Sequence, residues 1–100
     1  MIKLPESMER IWTMRARGMR EIEIAENLGI SRQAVNKALK EAKAKLFEAF
    51  FDLAETFSWE IVRVNAEKGF MVARGRCGDK TTRIYAFYIP KNGIRGFFRR

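Results

Sequence analysis

The sequence predicts an α+β protein: an N-terminal three-helix unit with a long third helix, followed by a small antiparallel β-meander. Three observations carry this. Up to residue 57, apolar side chains recur at spacings of three and four. From Trp59 onward, runs of Val, Ile, aromatic residues and Arg are separated by Gly-containing turns. The charge balance changes at the same place. Residues 1–57 hold ten Lys/Arg against nine Asp/Glu, and residues 58–100 hold ten against three. A helical unit over 1–57 and a basic β module over 58–100 follow.

The elements can be justified in order. Pro5 suits the first turn of a helix that carries Met8, Ile11, Trp12 and Arg15 at helical spacing and closes at Gly18. A short second helix runs from about Arg20 to Leu28, with Ile24, Ala25 and Leu28 inward. Gly29 supplies a left-handed turn and Ser31 an N-cap. The third helix shows no stop, because no Gly or Pro occurs from Ser31 to Phe57. Val35, Leu39, Ala42, Leu46, Ala49 and Leu53 form a seam of coiled-coil character along it. Phe47, Phe50 and Phe51 widen that seam. Whether the helix is continuous or breaks near Lys40 to Lys45 stays open. Strands are expected at Glu60–Asn65, Phe70–Cys77, Thr81–Ile89 and Ile94–Phe98, with turns at Glu67 to Gly69, Gly78 to Lys80 and Pro90 to Gly93.

The segment from Glu21 to Lys40 has the spacing of a helix-turn-helix. Two helices that cross closely need a small residue at the crossing, Ala25, and a residue that tolerates positive φ four positions on, Gly29. They also need an aliphatic plug six further, Val35; Ile24, Leu28 and Ile30 would complete the small core. This leaves Arg32, Gln33, Asn36, Lys37 and Lys40 outward on the first turns of the third helix. Such positions reach the major groove of double-stranded DNA. Gln33 and Asn36 can pair with adenine and Arg32 with guanine. Arg20, Lys37, Lys40 and Lys43 suit phosphates, and Ser31 at the helix start is counted with them. Residues 31–45 carry a net charge of +4, as a reading helix should, while residues 1–30 sum to zero.

These residues also carry a family resemblance. Residues 21–40, which contain the run EIAENLGIS over 23–31, resemble the bihelical unit of Cro-type phage repressors. With MRARGM over 14–19 added, residues 4–45 are similar to the trihelical unit of archaeal Tfx-type regulators and of the fourth conserved region of bacterial sigma factors. The resemblance covers about two-fifths of the chain. It implies sequence-specific DNA binding and a role in transcription of a prokaryotic, archaeal kind. The chain departs from the pattern at Arg20, where Ser or Thr usually caps, and at Ile22, usually polar.

Composition narrows the rest. A chain of 100 residues that is 47% hydrophobic can bury a small core. The longest apolar run, Ile84 to Ile89, is far short of a membrane span. A single cysteine, Cys77, fits a reducing, cytoplasmic setting. The absence of histidine removes the commonest metal ligand and general base, so neither catalysis, metal nor cofactor is expected. Tyr85, Tyr88 and the arginines do not make a tyrosine recombinase in so short a chain. Three readings compete for residues 58–100. Arg63, Arg74, Arg76 and Arg83 would touch phosphate as a wing, or the module would regulate or oligomerise. Alternatively, Ile94, Phe97 and Phe98 would dock a protein partner, since an aliphatic residue followed by an aromatic pair resembles peptides that plug into sliding clamps. A final edge strand is the plainer account of the same residues. The seam beyond Leu39 exceeds what three helices can bury, which predicts a homodimer.

Overall fold

The computed structural model describes residues 3–99, with residues 97–99 as backbone only. Three helices precede one sheet: α1 (Glu6–Ala16), α2 (Glu21–Leu28), α3 (Arg32–Thr56), β1 (Glu60–Asn65), β2 (Phe70–Cys77), β3 (Lys80–Ile89) and β4 (Gly93–Arg99). The four strands neighbour one another in chain order, all antiparallel. The α+β class and its long third helix are as the sequence predicts.

The helix ends show how local chemistry sets the path. Gly18, at φ 100, closes α1, and the Met19 N–H reaches back to the Met14 carbonyl. At the start of α2 no side chain caps the first-turn N–H groups, and Glu23 reaches back to Arg20 instead. The Glu23 carboxylate accepts both the backbone N–H and the Nε–H of Arg20, each at 3.0 Å. Gly29 adopts φ 66, ψ 34, and Ser31 Oγ accepts the Ala34 N–H at 3.0 Å, which starts α3. That helix runs unbroken for 25 residues, about 37 Å at 1.5 Å per residue. It stops without glycine: Ser58 takes the left-handed conformation at φ 56, while the Trp59 N–H bonds the Ala54 carbonyl.

Two apolar clusters hold the chain together. The smaller joins Ile11, Ile24, Ala25, Val35 and Leu39, with Met14, Met19, Leu28 and Ala38 partly buried around it. Ile30 is not part of it; the turn leaves that side chain 39% exposed. The larger cluster packs Ala42, Leu46, Phe50 and Ala54 of α3 against Met71, Ala73, Ile84, Ala86, Tyr88 and Ile94 of the sheet. The seam is therefore largely covered by the chain's own sheet, with Leu46 and Phe50 fully buried and Ala49 and Leu53 partly so. The sheet thus covers one side of the seam, and the aromatic residues beside it stay exposed. What remains exposed on this half of α3 is Phe47 stacked on Phe51, at 6.0 Å between ring centres.

Trp12 of α1 joins the larger cluster and not the smaller one that holds its neighbour Ile11. Its Nε1–H donates to the Ala66 carbonyl at 3.0 Å, and its ring meets Tyr88 edge-on at 5.3 Å. Gly69, at φ 76, makes room for it, since a Cβ there would lie 2.7 Å from the indole. Beside it the Tyr88 hydroxyl donates to the buried Glu9 carboxylate and accepts the Leu4 N–H at 3.0 Å. Glu9 also accepts the Lys91 N–H at 3.1 Å. Burial, and then the bond to Glu9, pushes the Tyr88 hydroxyl up to about 12.

Alternation along β2 and β3 gives the sheet two distinct faces. Met71, Ala73, Gly75, Thr82, Ile84, Ala86 and Tyr88 face the helices, and Phe70, Val72, Arg74, Arg76, Arg83, Tyr85 and Phe87 face away. The register shifts between Ile61 and Arg63, so Val62 is extra in β1 and Arg63 returns opposite Val72. The molecule is a rod of 53 × 20 × 20 Å.

Candidate nucleic-acid interface

The first turns of α3 present their polar residues as one surface. At 3.6 residues per turn, Arg32, Gln33, Asn36, Lys37, Lys40 and Lys43 fall within an arc of about 140°. Ala42, Val35 and Leu39 occupy the next arc of the helix, adjoining Arg32, and are buried. Arg32, Gln33, Asn36, Lys37 and Lys40 are exposed, and Lys43 is half-buried. The arrangement follows from the turn: Gly29 lets α2 reverse closely enough for Ala25 and Val35 to share one core, and this fixes which side of α3 looks outward.

Two of the expected residues have local work as well. Ser31 uses its hydroxyl to cap α3. Arg20 pairs with Glu23 at the start of α2 while keeping a largely exposed side chain. The bonds and charge of Arg20 hold the Glu23 carboxyl below its ordinary range, the backbone N–H first among them.

Glu21 was missed by sequence reasoning. It sits fifteen residues before Asn36, yet its carboxylate accepts the Asn36 Nδ2–H at 3.2 Å. The only sequence signal was an acidic residue in the first turn of α2, which reads as a helix-dipole preference. The bond uses one of two amide hydrogens. The second hydrogen and the Oδ1 acceptor of Asn36 remain for a base edge, the pair of groups that adenine recognition needs. Glu21 thus orients the Asn36 amide.

A cleft of about 260 Å³ runs beside this surface, lined by Trp12, Arg15, Glu21, Asn36, Leu39, Lys40, Lys43 and Glu67. Arg15 and Glu67 pair across it at 3.3 Å, tying α1 to the β1–β2 turn. Lys68 Nζ adds a bond to the Ala16 carbonyl at 3.1 Å. Among the described residues, no group of three or more Cys, Asp or Glu is placed to hold a metal ion. None of the helices there is long and apolar enough to cross a membrane.

The other expected residues divide. Arg63, Arg74, Arg76 and Arg83 share the outward face of the sheet. Ile94 is 1% exposed and belongs to the core, so it is not presented as the aliphatic anchor of a docking peptide. Its neighbours form β4, in which Phe97 pairs with Tyr85 and Phe98 with Ile84 along the backbone. The side chains of Phe97 and Phe98 lie outside the described residues. Ile22, unusual for its position, is 47% exposed and is not covered by the C-terminal half. No family model, curated protein or solved structure matches the chain.

Proposed function

We propose that this protein binds double-stranded DNA in a sequence-specific manner, with the first three turns of α3 in the major groove, and acts as a transcription regulator. The observation that carries the reading is the composition of the outward arc: two amides, Gln33 and Asn36, flanked by Arg32, Lys37 and Lys40, on a helix whose other side is locked at Val35 and Leu39. Amides that pair with base edges, set among cations that pair with phosphate, are what groove reading requires. An ordinary solvated helix face needs no carboxylate from another helix to orient one of its amides, as Glu21 orients Asn36.

The contact has a natural limit. The same stripe of α3 continues into Phe47, Glu48, Phe51 and Glu55, which are aromatic or acidic and do not suit phosphate. Residues 46–57 carry a net charge of −3. The duplex would therefore meet only the N-terminal half of the helix.

The reading does not depend on a homodimer, since the seam that called for one is largely covered by the sheet. A protein-docking role for the C-terminus is less well supported, because Ile94 is buried in β4. Selection from a random duplex pool tests the function. The reading expects enrichment of a short sequence over about 4–6 base pairs, the span one recognition helix covers. A pool that stays random after several rounds, with binding that falls away in moderate salt, would count against it.

A further inference from the structure

The outward face of the sheet has no element packed over it among the described residues, and its composition is unlike that of a plain solvated surface. Phe70 lies directly opposite Phe87 in the register, and Tyr85 sits opposite Val72 in the next row. Phe87 is 40% exposed, and Phe70 and Tyr85 are half-buried. Around these rings stand arginines. Arg63 lies over the Phe70 ring at 5.7 Å, and Arg74 is paired in register with Arg83 in the row beyond Tyr85. Arg76 and Arg95 extend the charge at two corners. The only carboxylate at an outward strand position is Glu60, bonded to Arg74 at 2.7 Å.

We propose that this face binds single-stranded nucleic acid, with bases stacked on Tyr85 and Phe87 and phosphates held by Arg63, Arg74 and Arg83. Charge complementarity selects the occupant. The face is strongly cationic with aromatic rings between the cations, and a single strand offers phosphate charges with unstacked bases between them. A duplex hides its base faces, so it can use the arginines and not the rings. A second copy of this chain would set the same cations against each other.

The Arg74–Arg83 row is also poorly placed to act as a wing on a duplex read by α3. Gly75, in the row next to Arg74, has Trp59 beside it, and Trp59 is bonded to Ala54 near the end of α3. Asn36 to Ala54 is eighteen residues of helix, about 27 Å. The arginine row is thus distant from the α3 arc, while the Phe70–Phe87 row lies at the end of the sheet near Trp12; this inference does not rest on the duplex reading.

The test uses the full chain and labelled mixed-sequence oligonucleotides of about ten nucleotides, as single-stranded DNA, single-stranded RNA and duplex. Fluorescence anisotropy is read at about 50 and about 200 mM salt. Tyr85→Leu and Phe87→Leu keep apolar bulk on the sheet and remove the rings; circular dichroism and thermal midpoints confirm that they fold. The proposal expects single-strand affinity to fall at least about tenfold in each variant, with duplex binding unchanged. Gln33→Ala and Asn36→Ala should leave single-strand binding unchanged. The DNA and RNA arms then show whether the 2′-hydroxyl contributes. Absence of single-strand binding by the unaltered chain would overturn the proposal. So would binding that survives both leucine variants, which would mark simple charge attraction, or a self-association that those variants abolish.

Discussion

Two basic surfaces lie on this molecule, and they are built differently. The first turns of α3 are convex and combine amides with cations, and the outward face of the sheet is broad and combines rings with arginines. Hydrogen bonds to the edges of bases suit the first, and stacking on the faces of bases suits the second. The excess positive charge of residues 58–100 is therefore not an extension of the helix's charge. Positive charge alone says only that a polyanion is attracted; the residues between the charges say which form of it fits.

The surfaces share one support, and this gives the strongest way to break the comparison. Leu46 is fully buried between α3 and the sheet, so Leu46→Glu places a carboxylate in the larger core. The change should cost about 4 kcal/mol or more and abolish the fold. Denaturant unfolding followed by circular dichroism checks this. If instead the variant stays folded and only changes its mass in sedimentation, Leu46 belongs to an interface between chains.

A narrower cut falls on the joint near Trp12. Gly69→Ala would press a methyl group into the indole and force a side-chain-bearing residue to positive φ. A loss of about 2–4 kcal/mol is expected, from overpacking plus backbone strain. Gly29→Ala offers the contrast, because nothing lies within 4 Å of a Cβ there. It should cost only about 1 kcal/mol. Equal losses at the two glycines would mean that Trp12 does not seat against the β1–β2 turn as described.

Tyr88→Phe removes a buried hydroxyl and leaves the Glu9 carboxylate and the Leu4 N–H each short of a partner. A loss of about 1–3 kcal/mol is expected at neutral pH. The sign of the pH dependence follows from the raised value of about 12. The folded state favours the neutral phenol, so its contribution is complete below about pH 10 and is lost as pH rises through about 12. The stability gap between the unaltered chain and the variant should narrow over that window. A gap that is constant through alkaline pH would contradict the buried bond.

Much of this was legible in the sequence. Strand positions followed from runs of Val, Ile and aromatic residues between Gly-containing turns, and the Ala25, Gly29, Val35 spacing located the crossing of α2 and α3. What was not legible depended on contacts between distant segments. The seam at Ala42, Leu46 and Phe50 shows apolar periodicity, but periodicity does not name the covering surface, which on this side is the sheet. Trp12 fits either core by its spacing, and only the turn at Gly69 decides between them. The end of α3 near residue 57 followed from the change of composition, although the residue that turns the chain, Ser58, takes a conformation usually signalled by glycine. Glu21 could not be paired with Asn36 before the angle between α2 and α3 was known.

The central claim is that the outward arc of α3 reads base pairs. The direct measurement is the ratio of affinities for the selected duplex and a scrambled one, for the unaltered chain, Gln33→Ala, Asn36→Ala and Lys37→Ala at matched salt. Loss of either amide should cost about 1–3 kcal/mol on the selected duplex and little on the scrambled one, lowering the ratio. Loss of Lys37 should weaken both duplexes alike and reduce the salt slope by about one. An unchanged ratio in both amide variants would contradict the assignment of α3 as the reading helix.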